Sequence, residues 1–353
     1  MTLTDEALPA HAATDRAAIE TAARRAMDEK TKPLGALGVL EEVAVQLAAL
    51  QRTTRPEVER GRIVVFAGDH GVAAEGVSAY PQRVTGEMLR NFARGGAAVN
   101  VLARASGLEL EVVDVGVAAE LGDLAGIVHA RVRRGTRNLA IEPAMTAAET
   151  EAALEAGRAA ARRAAASGVR ALGLGEMGIG NTTAAAALLS ALTGASPELT
   201  VGRGTGVDDA GMIRKRQVVA RALALHAPAL GDPRAALAAV GGLEIAAIAG
   251  AAIEAAAREV AVVADGFIST VGVLVASRLE PSIRPALFFA HRSAERGHGL
   301  ALEALGGRPL LDLDLRLGEG TGAALALPLL RAAARVLGEM ATFADARVSE
   351  AGA

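Results

Sequence analysis

Four glycines, a lone glutamate and an Asn-Thr-Thr run stand together in "LGLGEMGIGNTT", residues 172–183. A loop that only turns the chain needs one or two glycines. Here Gly178-Ile179-Gly180-Asn181 opens an alanine-rich helical run, and glycine leaves the backbone N–H groups there unobstructed. Such amides, with the positive end of a helix dipole behind them, make a cradle for a phosphate. Thr182 and Thr183 can add hydroxyl donors or cap the helix. No lysine follows at the Walker position, and G-x-x-G-x-G is not the dinucleotide spacing, so a monophosphate is the expected ligand. A capped glycine turn with no ligand is the alternative.

Two further stretches carry groups that could serve the same site. In "VGRGTGVDDAGMIRKRQVV", Gly202, Gly204 and Gly206 precede a helical run holding Lys215; the only other lysines are Lys30 and Lys32. Lysine is a compact point charge suited to a phosphate; an exposed basic helix face is the bland alternative. In "RLGEGTGAALALPLL", Glu319 stands between Gly318 and Gly320, directly before an apolar helix. A carboxylate there can simply favour the helix N-terminus. It can also act as a general base, because flanking glycines admit a planar ligand and apolar neighbours raise the carboxyl pKa. His70, His291 and His298 match no metal-ligand spacing, so no metal site is expected, and His70 is expected to order its loop by hydrogen bonding.

The elements that must position these groups follow from the alternation of β-branched and alanine-rich runs. "RIVVFAGDHG", "LELEVVDVGV", "VRALGLGEMG", "EVAVVADGF" and "RPALFFAHRS" each read as a strand ending in a Gly, Asp or His turn. Continuous apolar runs of this kind suit strands covered on both faces, with the intervening helices as crossovers. The pattern predicts an α/β fold: a doubly wound, mostly parallel Rossmann-like sheet over residues 61–325. Residues 1–60 hold two helical stretches without a strand, and the last thirty or so residues read as another long amphipathic helix. These ends, 1–60 plus 326–353, are expected to form a small helical subdomain. In parallel sheets ligands bind at the carboxyl ends of the strands, so one rim is expected to collect the polar loops.

Composition excludes several classes. Hydrophobic residues make up 51% of the 353, but aromatics only 2% with no Trp, so the core must be built from Ala, Val, Leu and Ile. A formal net charge of -3 argues against a nucleic acid held by charge. Cysteine is absent, which excludes disulfides, thiolate catalysis and Cys-ligated metal centres. The acidic, polar N-terminus does not read as a signal peptide. The most apolar window, "AAIAGAAIEAAAREVAVVADGF", is broken by Glu254, Arg258, Glu259 and Asp265. No membrane span is expected, and the cytoplasm is the expected location.

"TKPLGALGVLE", "GDHGVAAEGVSAYPQRVT", "NFARGGAAVNVLAR", "GEMGIGNTT", "GRGTGVDD", "DGFIST", "HRSAERGH" and "RLGEGTGAALALPLL" occur in this order. Together they resemble the nicotinate-nucleotide–dimethylbenzimidazole phosphoribosyltransferases, which make the lower-ligand nucleotide of cobalamin. The resemblance runs from about residue 30 to residue 341. It implies transfer of a 5-phosphoribosyl group from nicotinate mononucleotide to 5,6-dimethylbenzimidazole, giving α-ribazole 5′-phosphate and nicotinate. It implies no cofactor and no divalent metal, since the donor carries no pyrophosphate, and it implies a homodimer.

Residue by residue, the resemblance makes Glu319 the general base and Glu176 a second active-site carboxylate. It gives Gly178, Ile179, Gly180 and Asn181 to the phosphate, with Lys215 assisting. It places Ser78, Tyr80, Gln82, Ser293, Leu317 and Gly318 around the acceptor base. Asp208 and Asp209 are expected to start a helix rather than to bind a diphosphate–metal complex. Two other classes stay in view. An NAD-dependent oxidoreductase needs a glycine fingerprint after the first strand, which "GDHGVAAEG" does not supply. A non-catalytic nucleotide-binding or sensing module needs the phosphate cradle but not Glu319.

Overall fold

β-Branched side chains favour extended backbone, and the valine- and isoleucine-rich runs at residues 63–65, 112–113 and 262–263 all lie in strands. The structure, a computed structural model, describes residues 10–204 and 206–349. Residues 1–9 and 350–353 of the expected terminal subdomain, and Thr205 of the second glycine run, lie outside the described residues.

Two helices, α1 (Ala10–Asp28) and α2 (Val39–Gln51), precede β1 (Gly61–Gly68), α3 (Arg83–Ala93), α4 (Ala98–Ala105), β2 (Glu109–Gly116) and β3 (Ile127–His129). Then come α5 (Ala147–Ala166), β4 (Ala171–Met177), α6 (Asn181–Thr193), α7 (Pro197–Thr200), α8 (Asp209–Leu225), α9 (Pro233–Val240) and α10 (Leu243–Ala257). The chain finishes with β5 (Ala261–Ala264), α11 (Phe267–Leu279), β6 (Leu287–His291), α12 (His298–Leu305), β7 (Pro309–Leu311), α13 (Thr321–Glu339) and α14 (Phe343–Ala346).

The strands form one sheet in the order β3-β2-β1-β4-β5-β6-β7, and every pairing among the described residues is parallel. All five expected strands are present. β3 was not anticipated, because three residues are too short to carry a periodic signal. Strand order reverses between β1 and β4, the position where an open parallel sheet leaves a crevice at its carboxyl edge. Side chains alternate between two cores: Val64 and Phe66 of β1 enter one, Ile63, Val65 and Ala67 the other. The same division separates Val262 and Ala264 of β5 from Ala261 and Val263. Helices therefore cover both faces, as a doubly wound sheet requires.

With few aromatics available, backbones approach closely instead. A Cβ on Gly157 of α5 would overlap the Ala247 carbonyl of α10, and one on Gly250 would overlap the Leu154 carbonyl. The helix pair is thus locked by two reciprocal glycines.

At the chain ends, α1 packs on α2, and α13 packs on α2 and on the sheet. The expected single C-terminal helix is interrupted: Met340 is extended, and a short α14 follows. Lys30 Nζ donates to the Met340 carbonyl at 2.7 Å, and the Thr31 amide donates to the Ala341 carbonyl at 3.1 Å. These bonds take carbonyls that a continuing helix would need. Among the described residues α13 alone is long and apolar enough to cross a membrane, and 56% of its most apolar window is buried inside the fold.

Candidate active site

Parallel strands deliver the loops after β4, β5, β6 and β7 to one rim, where they enclose a cavity of about 80 Å³. Its walls include Glu176, Gly178, Ile179, Asn181, Ser293, Leu317, Gly318 and Glu319 from the sequence expectations. A neighbouring cleft of about 680 Å³ shares Gly204, Glu295 and Arg316 with it.

The glycine loop after β4 is shaped by the end of β1. A Cβ on Gly178 would overlap the Gly68 carbonyl, so only glycine lets the loop lie there. Gly180, at φ 98°, is the N-cap of α6 and shapes the cavity without lining it. The Ile179 amide donates to Thr85 Oγ1 at 3.2 Å, and the Asn181 amide to the Gly178 carbonyl at 3.3 Å. The first ties the loop to α3, and the second closes the loop on itself. Behind them, Thr85 Oγ1 donates to Asp69 Oδ1 at 2.6 Å. Asn181 Nδ2 donates to Glu176 Oε2.

Lys215 reaches the same helix end from α8. Its Nζ donates to Thr182 Oγ1 at 2.7 Å and to the Gly202 carbonyl at 3.1 Å. Burial pulls its pKa down to about 8, against the opposing charge of Glu295. A cation, a hydroxyl and a helix N-terminus thus converge at one point, which is what an anion requires.

Glu319 occupies an unusual turn. Gly318, Glu319 and Gly320 all have left-handed backbone, with φ of 81°, 63° and 85°. Thr321 Oγ1 closes the turn by donating to the Gly318 carbonyl at 2.8 Å. A Cβ on Gly318 would overlap Glu176 Oε1, so this glycine lets the two carboxyl loops meet. Glu319 is 6% exposed, and among the described residues its Oε2 has no hydrogen-bond partner. Burial first, and then the charge of Asp265, push its pKa up to about 7, while the Val99 amide at the start of α4 opposes the rise. Glu176 is held well above the usual carboxylate range by burial, then by Asp265, Glu244 and Glu319. Asp265 is raised by burial and opposed by His291 and by backbone amides. Carboxyl groups this crowded cannot all be ionised together, so the site stores protons at neutral pH.

The remaining expected residues divide. Ser293 lines the cavity; its amide donates to His298 Nδ1 at 2.8 Å, and burial with the neighbouring His291 holds His298 neutral at a pKa of about 3. Leu317 stands at the rim, 57% exposed. Ser78, Tyr80 and Gln82 do not line this cavity. They lie between the 3-10 turn at Gly71–Glu75 and α3, where Gln82 Nε2 donates to the His70 carbonyl at 3.4 Å and Tyr80 is 52% exposed. His70 Nε2 meets Glu244 Oε1 at 2.8 Å, with both side chains fully buried. Asp208 caps α8 by accepting from the Gly211 amide at 2.8 Å. Among the described residues no group of three or more His, Asp or Glu side chains is placed to hold a metal ion.

Sequence reading missed Asp265, His291, Glu295 and the Val99 amide as parts of the site. "VVADG" marked Asp265 as the end of a strand, and "ARGGAAVN" marked a glycine-led helix start, but neither pattern says what it faces.

The phosphoribosyltransferase family model matches residues 12–348. A nicotinate-nucleotide–dimethylbenzimidazole phosphoribosyltransferase of Thermus thermophilus is 59% identical over 327 residues, covering 93% of this chain and 97% of that one. The enzyme of that name from Pseudomonas aeruginosa is 55% identical over 323 residues, covering 92% of each. A crystal structure of the Thermus thermophilus enzyme superposes with a TM-score of 0.90 at 56% identity, covering 94% of this chain and 99% of that one.

Proposed function

The chain belongs to the nicotinate-nucleotide–dimethylbenzimidazole phosphoribosyltransferase family, and we propose that Glu319 is the general base of its transfer reaction. As a member it is a pentosyl-transferring enzyme. In the proposed reaction the bond between ribose C1′ and the pyridinium nitrogen of nicotinate mononucleotide breaks, and the electron pair leaves with nicotinate. A ring nitrogen of 5,6-dimethylbenzimidazole forms the new bond to C1′ from the opposite face, so a β-donor gives the α-product. Unaided, the acceptor would become a cation; Glu319 takes the proton from its second ring nitrogen as the bond forms.

The observation that carries this reading is the state of Glu319: buried, raised to about pH 7, one oxygen unpartnered, and on the wall of the cavity. A base near the working pH is the most effective proton acceptor. The donor's 5′-phosphate goes to the start of α6, at Gly178, Ile179, Gly180 and Asn181 with Lys215 and Thr182. Glu176, its pKa raised by burial in the free enzyme, ionises beside the cationic pyridinium and the charge developing at C1′. The acceptor takes the side of the cavity formed by Ser293, Leu317 and Gly318. Ser78, Tyr80 and Gln82, on the loop between β1 and α3, are assigned to the acceptor by the family resemblance alone.

The reading extends to a cytoplasmic homodimer, with apolar Leu199 and Ile213 exposed on the neighbouring helices α7 and α8. A helical unit of 1–60 with 326–353 beside the sheet is supported, over its described residues, by the packing of α1 on α2 and of α2 on α13. The test is chromatography of protein, nicotinate mononucleotide and 5,6-dimethylbenzimidazole without added metal. Released nicotinate with equimolar benzimidazole nucleotide is expected, and an untouched donor with every azole acceptor tried would end the reading.

A further inference from the structure

The peptide that follows Glu319 is held by a side chain from the loop after a different strand. Asp265, 1% exposed, directly follows β5, and its two carboxylate oxygens accept from one amide of the Glu319 turn and one of the first turn of α13. Gly320 N–H donates to Oδ2 at 3.1 Å, and Ala323 N–H donates to Oδ1 at 2.9 Å. Three successive left-handed residues have no intrinsic reason to stay so, and a backbone of this kind persists only when its surroundings over-determine it. The approach is close: a Cβ on Gly322 would stand 2.9 Å from both Asp265 Oδ1 and His291 Nε2. Glycine at that position lets the first turn of α13 rest directly on the Asp265–His291 pair.

We propose that Asp265 is a positioning residue for the transfer reaction: its carboxylate clamps the Gly318-Glu319-Gly320 turn and so aims the Glu319 carboxyl group into the cavity. It sits behind the turn and acts through Glu319, not on the substrates. The inference rests on the reading of Glu319 as the base. The charge of Asp265 also reaches Glu319, where it adds to burial in raising the pKa. Among the described residues, the other titratable groups around this cavity are Glu176 on β4, His291 on β6, Glu295 on the loop after β6 and Arg316 on the loop that carries Glu319, with Glu244 of α10 acting on Glu176.

Asp265→Asn and Asp265→Ala separate clamp from scaffold. Asparagine keeps the size of the side chain but offers one acceptor in place of two and carries no charge. Both variants are expected still to bind nicotinate mononucleotide, while kcat falls by about 100-fold for alanine and less for asparagine. The titration of Glu319 itself is read by ¹³C NMR of glutamate-labelled protein without substrates, its resonance assigned by its loss in Glu319→Gln. Its midpoint is expected to move to lower pH in Asp265→Asn. An Asp265→Asn protein with a wild-type Glu319 midpoint and wild-type kcat overturns the proposal, whether or not the alanine variant folds. A shifted midpoint beside an unshifted pH–rate profile would instead sink the base assignment, while showing that Asp265 governs Glu319.

Discussion

Lys215 Nζ on α8 donates to Thr182 Oγ1 on α6 across 2.7 Å, a contact that puts a fully buried ammonium at the mouth of a helix N-terminus. Among the described residues Glu295 opposes the fall in its pKa, and burial outweighs it. An anionic ligand at this point would offset that cost of burial.

Lys215→Met is therefore expected to weaken donor binding and strengthen the fold. Losing a charge-assisted contact to phosphate costs about 1.5–3 kcal/mol, so KM for the donor should rise roughly 10- to 100-fold. Burial lowers the lysine pKa from 10.5 to about 8, so between those values the unfolded chain binds more protons and wild-type stability rises with pH. Below pH 8 the buried charge is a cost that methionine removes. Urea unfolding of the two apo-proteins at pH 7 checks this, and a less stable variant with unchanged KM would contradict it.

Glu319→Gln should lower kcat by about 10²- to 10⁴-fold and leave the dissociation constant of the donor within about twofold. If Glu319 is the base it must be ionised, so kcat/KM should fall about tenfold per unit as pH drops below 7. The stability effect has the opposite sense. A carboxyl raised from 4.5 to about 7 binds its proton more tightly when folded, so stability declines as pH rises through that window. Glu319→Gln should consequently be the more stable protein at pH 8, on the order of 1–3 kcal/mol. Thermal melts at pH 5 and pH 8 give the comparison; equal differences at both would rule the linkage out.

Donor binding should release protons. Burial and the neighbouring Asp265 raise the Glu176 carboxyl well above its ordinary range in the free site, and a cationic pyridinium beside it would favour the carboxylate. Calorimetric titration with nicotinate mononucleotide at pH 7, in two buffers of different ionisation enthalpy, should report up to about one proton released. Glu176→Gln should abolish the difference between buffers. Identical buffer dependence in wild type and variant would remove Glu176 from this role.

Gly157→Ala tests the scaffold separately from the site. The new methyl would overlap the Ala247 carbonyl, forcing α5 from α10. Overpacking of this kind costs about 1–3 kcal/mol. The midpoint of chemical unfolding should fall, while KM for either substrate stays as in wild type, because the contact lies on a helix pair away from the rim. A change in KM without a change in stability would be the wrong outcome.

Much of this was legible in the chain itself. The alternation of β-branched and alanine-rich runs determined a doubly wound parallel sheet, since side-chain periodicity and crossover length are local properties. Glycine spacing marked the start of α6 and the turn at Glu319, because glycine is needed where backbone must be left-handed or pressed against backbone. The glycine run that precedes α8 drew attention to Lys215. The break after Glu339 was not legible, because it depends on Lys30 and Thr31, some 310 residues away.

The chemistry of the site was decided by the tertiary structure. Asp265 and Gly320 are 55 residues apart in sequence and 3.1 Å apart in space. The Glu319 carboxyl is raised to about 7 because burial and Asp265 act on it together, with the Val99 amide from a third segment opposing them. Composition lists the carboxyl groups, but a pKa depends on which charges and dipoles lie within a few ångströms and on how much water is excluded. Those distances exist only once the strands are in register, which is why the residues could be read from the sequence and their protonation states could not.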